Sequence, residues 1–133
     1  MCMTLTKDRI LPKIAESDMT VLKIISIADI NSNTFSSEIQ RYRYIRNVPT
    51  PHIEVKVEPF ICDCNLCRGL YGISEGYHSY SLKQTSVELA KDENKRRLWT
   101  SYVYCTIPKG TKYWENAHGN IVSETITITG VVT

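Results

Sequence analysis

No apolar run in this 133-residue sequence approaches the roughly eighteen residues that a membrane span needs, and its first residues lack the apolar core of a signal peptide. The expectation is therefore a cytoplasmic protein, in the host cytoplasm if viral, with no membrane partner. No charge sign dominates: 16 Lys and Arg stand against 14 Asp and Glu, for a formal net charge of +2. So even a balance gives no reason to expect a nucleic-acid partner, although basic residues gather in Arg41-Tyr-Arg43-Tyr-Ile-Arg46 and in Lys95-Arg96-Arg97. Internal repeats and low-complexity tracts are absent as well. What remains, with 42% hydrophobic and 23% charged residues, is an ordinary globular composition. It reads as a single domain over residues 1–133, long enough to bury a core without staples.

The five cysteines are an odd number, and three of them, Cys62, Cys64 and Cys67, fall within six residues. Nothing points to an oxidising compartment, so free thiols are expected rather than a disulfide framework. A zinc site would need a fourth ligand, for which Cys105, His78 and His52 are the candidates. The Cys-x-Cys-x-x-Cys spacing is not that of a paired knuckle, and there is no second Cys-x-x-Cys. Ordinary reduced cysteines are expected, and no metal is assigned.

Hydrophobic periodicity is of period two through most of the chain, the signature of strands. Strands are expected at Met1–Thr6, Thr20–Ile27, Glu38–Arg46, Ile53–Glu58, Gly76–Ser81, Trp99–Ile107, Thr111–Trp114 and Ile121–Thr129. Pro108-Lys-Gly110 ends the strongest of them, since proline lacks a ladder donor and glycine permits a turn. Thr85-Ser-Val-Glu88 fits a capping box, and Asp92 with Arg96 and Glu93 with Arg97 stand at i,i+4. These predict one clear helix to about Leu98. The fold class expected is α+β, mainly antiparallel β, with about eight strands in two packed sheets and one clear helix.

Two charges sit oddly in this pattern. Alternation along Ile121–Thr129 puts Glu124 on the face of Val122, Ile126 and Ile128, and alternation along Thr20–Ile27 puts Lys23 with Val21, Ile25 and Ile27. A carboxylate or an ammonium buried alone is costly, so each must pair, reach out or line a cleft. If the two strands are neighbours, one ion pair at a cleft mouth explains both. On the short strand His78 and Tyr80 face one way and Tyr77, Ser79 and Ser81 the other.

The order of these pieces resembles the ADP-ribosyltransferase fold. Tyr77-His-Ser79-Tyr80-Ser81 is similar to that family's hydroxyl-bearing strand, with Tyr80 where threonine is usual. Ile107-Pro-Lys-Gly-Thr111 is similar to its Pro-x-Gly-Thr turn. Val122-Ser-Glu124 is similar to its glutamate motif, with Val122 where an acidic or amide residue stands, and Lys23 is the nearest match to its first-strand arginine. The chain also resembles small proteins of gut Bacteroidetes and their phages that share a Gly-aromatic-His-Ser strand and an Ile-Pro-Lys-Gly-Thr ending. The resemblance implies an ADP-ribosyltransferase-like scaffold on which Glu124 would be the catalytic residue. Lys23, Tyr77, His78, Ser79 and Ser81 would hold NAD or a related nucleotide.

Three functions follow. The departures at Lys23 and Val122 favour a non-catalytic binding module for a nucleotide-derived ligand or a protein partner, as in a phage accessory or anti-defence factor. The alternatives are an ADP-ribosyltransferase using NAD and a structural component of a virion or its assembly.

Overall fold

A computed structural model of the chain describes residues 3–26, 34–36, 43–59, 69–73, 75–83, 87–88, 91–92 and 100–131. Twelve strands are present among them: β1 Met3–Leu5, β2 Lys13–Ile14, β3 Met19–Ser26, β4 Thr34–Ser36, β5 Arg43–Ile45, β6 Glu58–Pro59, β7 Tyr71–Ile73, β8 Tyr77–Tyr80, β9 Thr100–Ile107, β10 Lys112–Glu115, β11 Asn120–Ser123 and β12 Thr127–Val131. They form an antiparallel sheet of seven in the order β12-β9-β3-β8-β11-β10-β2, a sheet of three in the order β1-β7-β6, and the hairpin β4-β5.

The expectation of an α+β fold with one clear helix is corrected by this architecture. No helix of seven or more residues occurs among the described residues, and the class is β-rich. Of the stretch from Thr85 to Leu98, residues 87–88 and 91–92 are described, with helical backbone. The capping residues Thr85 and Ser86 and the arginines 96 and 97 lie outside the described residues, as do Cys62, Cys64 and Cys67. Period-two burial instead marks strands among the described residues, as at Tyr77–Tyr80 and from Val103 to Ile107. The count of eight strands is also too low, because β2, β4 and β7 are two or three residues long, too short to show a period.

The longest pairing in the large sheet is β3–β9, in register from Met19 opposite Ile107 to Ser26 opposite Thr100. Directly opposed residues share a face, so Val21, Lys23 and Ile25 lie with Cys105 and Val103, and that face is buried. The opposite face of β3 is buried too, at Leu22 and Ile24.

The expected single strand Ile121–Thr129 is in fact two, broken at Glu124–Ile126. β11 and β12 stand four places apart in the sheet. Laid flat, four strand spacings are about 19 Å, whereas the four residue steps from Ser123 to Thr127 reach at most about 14 Å. The sheet must therefore curl until its β11 region and its β12 edge approach each other. The core agrees: Val21 and Ile25 of β3 and Val103, Cys105 and Ile107 of β9 pack in one cluster with Ile121 of β11 and with Ile126 and Ile128 beyond the break. The break also exchanges faces. Val122 belongs to a second cluster with Met3, Leu5, Val55, Ile73 and Trp114, where the three-stranded sheet covers the convex side.

Residues 53–57 are expected to be a strand and are not. Their alternation is nevertheless present, with Val55 buried, Ile53 and Val57 half-buried, and Glu54 and Lys56 exposed. Ile53 packs on the first cluster and Val55 and Val57 on the second, so the segment crosses between cores rather than joining a ladder.

Gly76 enters β8 with a φ of +140°, and a Cβ there would stand 2.2 Å from Val122 Cγ1. Gly76→Ala is expected to lose about 2–4 kcal/mol in urea unfolding from combined backbone strain and overpacking. Adding Val122→Ala to it should not restore wild-type stability, because the clash is relieved and the backbone strain is not.

Candidate functional site

Two of the residues that stood out in the sequence, Tyr77 and Glu124, meet at residues 47–53, a strap that follows β5 and runs beside the link and the start of β12. Pro49 and Pro51 have no amide proton, so the strap cannot form a regular ladder. Its remaining amides bond at wider intervals: Asn47 N donates to Ile128 O at 2.9 Å, Thr50 N to Ile126 O at 3.0 Å and Ile53 N to Glu124 O at 3.0 Å. Donors three residues apart thus meet acceptors two apart. Asn47 turns the chain into the strap with a φ of +62°, a left-handed conformation that asparagine tolerates better than most residues.

Side chains complete the attachment. The buried Thr50 hydroxyl accepts from Ile126 N at 2.9 Å and lies 3.1 Å from Thr125 Oγ1, which donates to Thr50 O at 2.8 Å. The Tyr77 hydroxyl donates to Pro51 O at 2.7 Å. His52 Nε2 makes a close ion-pair contact with Glu124 Oε2, the imidazole side chain 64% exposed and the carboxylate 10%. The Glu124 carboxylate therefore works from beneath the strap, orienting an imidazole that faces outward.

Lys23 and Glu124 do not pair. Lys23 lies on β3, whose neighbours are β8 and β9, whereas Glu124 lies in the link. The Lys23 ammonium donates to His78 O at 2.6 Å and sits 5.1 Å from the centre of the Tyr44 ring. Tyr44 in turn meets Tyr77 edge-on, with ring centres 6.2 Å apart. Lys23 and Glu124 are thus joined indirectly, each holding a different part of the segment 43–53: Tyr44 lies over the lysine and His52 over the glutamate.

The other candidates divide by face. Ser79 is buried on the concave side, and its Oγ has no hydrogen-bond partner among the described residues, nor has that of the fully buried Ser123. Ser81 is buried, with its amide bonded to Gly119 O. His78 is half-buried on the convex side opposite Val122, so only its carbonyl meets Lys23. Among the described residues no cluster of three or more His, Cys, Asp or Glu is arranged to hold a metal ion. Sequence reasoning considered His52 only as a metal ligand and missed Tyr44, Thr50 and Ser123. The Pro49-Thr-Pro-His52 run was the available signal, since its alternate missing amides forbid an ordinary strand.

No family model, no curated protein and no solved structure matches this chain, so none of these comparisons links it to the ADP-ribosyltransferases that its motif order resembles.

Burial moves two groups in opposite directions. It pulls Lys23 down from 10.5 to about 8, partly offset by Cys105, and it pushes the Cys105 thiol up from 9.0 to about 12, partly offset by Lys23. Between about 8 and 10.5 the unfolded chain holds a proton on Lys23 that the folded chain releases, so stability rises with pH. Between about 9 and 12 the folded chain keeps the Cys105 proton that the unfolded chain loses, so stability falls. Urea unfolding across pH should rise from 8 to 9 by up to ~1.4 kcal/mol per unit, level off to about 10.5, and then fall. Lys23→Met should remove the rise, and Cys105→Ala should reduce the alkaline fall, to which the Tyr113 phenol, raised by burial and by Glu115, also contributes.

Proposed function

We propose that the chain is a non-catalytic binding module whose recognition surface is the outer side of the segment 43–53. The observation that carries this reading is the contrast between the two sides of that segment. From behind, it is fixed by Tyr77, Thr125 and Glu124. Toward solvent it presents Arg43, Ile45, Arg46, Val48 and His52, with Ile45 and Val48 about half exposed. Exposed apolar side chains set between guanidinium groups and held in place by a supporting layer suit recognition of an anionic, partly apolar surface. An acidic protein partner fits this description best. A nucleotide-derived ligand remains the second reading, supported by the affinity of guanidinium groups for phosphate.

The same geometry weighs against turnover of NAD. The Glu124 carboxylate is engaged by His52, so a developing ribosyl cation would first have to displace that imidazole. Ser79 and Ser81, to which the resemblance would give the nicotinamide, are 3% and 8% exposed.

Titration with an acidic, leucine-containing peptide should show salt-dependent binding that falls about tenfold or more in Arg43→Glu/Arg46→Glu, while unfolding stability stays within about 0.5 kcal/mol. A rise in melting temperature with ADP-ribose or NAD, without peptide binding, would favour the nucleotide ligand instead. Nicotinamide release from NAD that disappears in Glu124→Gln would overturn the non-catalytic reading. No response to any probe would leave a structural role in a virion or its assembly.

A further inference from the structure

The concave side of the curled sheet holds a positive charge that the strap does not explain. Lys23 is 5% exposed, and no carboxylate among the described residues lies within ion-pairing distance of its Nζ. Glu124 is taken by His52 and Glu115 by Lys83. Its one hydrogen bond among the described residues is to a neutral acceptor, His78 O, and the Tyr44 ring face lies on another side. An ammonium has three protons to place, and a buried charge without a counter-charge is among the costliest features a core can carry. Deprotonation does not remove the difficulty at neutral pH, because the group still titrates at about 8.

Two further donors lie on the same face. Leu22 stands opposite Tyr80, so the antiparallel register carried on by one residue sets Lys23 beside Ser79. Ile121 stands opposite Ser79 and Ser123 opposite Tyr77, which puts Ser123 diagonal to Ser79, one strand further on. Directly opposed Cβ atoms are about 5 Å apart and diagonal residues about 7–8 Å. Both hydroxyls are at least 97% buried and without a protein partner among the described residues. A cation and two unspent hydroxyl donors on one face, among Val21, Ile25, Val103 and Ile121, call for an acceptor that carries negative charge and is small.

We infer that Lys23, Ser79 and Ser123 form an internal site for a small monovalent anion, a halide or formate, which serves as the counter-ion of the Lys23 ammonium. The Tyr44 ring closes the site toward the segment 43–53. The site is separate from the outward recognition surface, which Arg43→Glu/Arg46→Glu alters and this site does not depend on.

The test uses the full chain at constant ionic strength and pH 7, with sodium gluconate replaced stepwise by sodium bromide or sodium formate. The melting temperature should rise and saturate, as linkage to one site requires. Ser79→Ala should keep the response with about tenfold weaker apparent affinity, and Lys23→Met, which retains the side chain's length, should abolish it while near-ultraviolet circular dichroism stays native. Should Lys23→Met fail to fold, bromide anomalous scattering from wild-type crystals decides the matter through a peak in contact with Lys23 Nζ. A melting temperature indifferent to the anion, a response unchanged in Lys23→Met, or bromide peaks confined to the surface would each overturn the site.

Discussion

Three residues decide the shape of this protein. Because Glu124, Thr125 and Ile126 alone join β11 to β12, a sheet whose strand order would keep those elements about 19 Å apart has to bend until they meet. The curl gathers apolar residues from the centre and the ends of the sheet into one cluster. It leaves the convex side to be covered separately by the small three-stranded sheet, through Met3, Leu5 and Ile73. The link also supplies the carbonyls of Glu124 and Ile126 and the Thr125 hydroxyl to which the strap is fastened. Topology, core and candidate recognition surface therefore share one cause.

The polar residues of the interior fall into two kinds. Thr50, Thr125 and Tyr77 are spent on fastening: each donates or accepts at normal distances, and each bond ties the strap to the sheet. Buried hydroxyls satisfied in this way cost little and fix geometry. Lys23, Ser79 and Ser123 are different, since their donors exceed the acceptors that the described residues provide. Fastening bonds and unspent donors thus occur on the same face, with Tyr77, which donates to Pro51 O, directly opposite Ser123.

Much of this was legible in the sequence, and what was not has physical reasons. Period-two alternation located β3, β8 and β9 to within a residue or so, because inner strands express their burial directly. The same alternation flagged Lys23 and Glu124 as charges on apolar faces, and both are buried. It failed where β-forming residues do not form a ladder. Glu124-Thr-Ile looks like strand and is a crossing, and Ile53–Val57 alternates because it spans two cores. Nothing local distinguishes these from true strands, since the deciding factor is which distant segment lies alongside. The partners of Lys23 and Glu124 were out of reach for the same reason: their pairing was conditional on neighbouring strands, and alternation reports a face and is silent on strand order. The helix expected to run to Leu98 rested on capping and charge pairs, which stabilise a helix only weakly against tertiary preference.

The mismatch between strap and sheet has a further consequence for how copies of this chain behave toward one another. A sheet edge with regular free amides and carbonyls invites a strand from a second molecule. Here one edge runs beside a segment whose bonds fall three residues to two and whose two prolines offer no donor, so that segment cannot itself template another strand. The other edge, β2, is only two residues long and presents little to extend. The start of β12 and the two-residue β2 are thereby poor templates for edge-to-edge growth. Residues 47–53 can hold Val48 out in solvent without offering a regular backbone on which an aggregate could propagate.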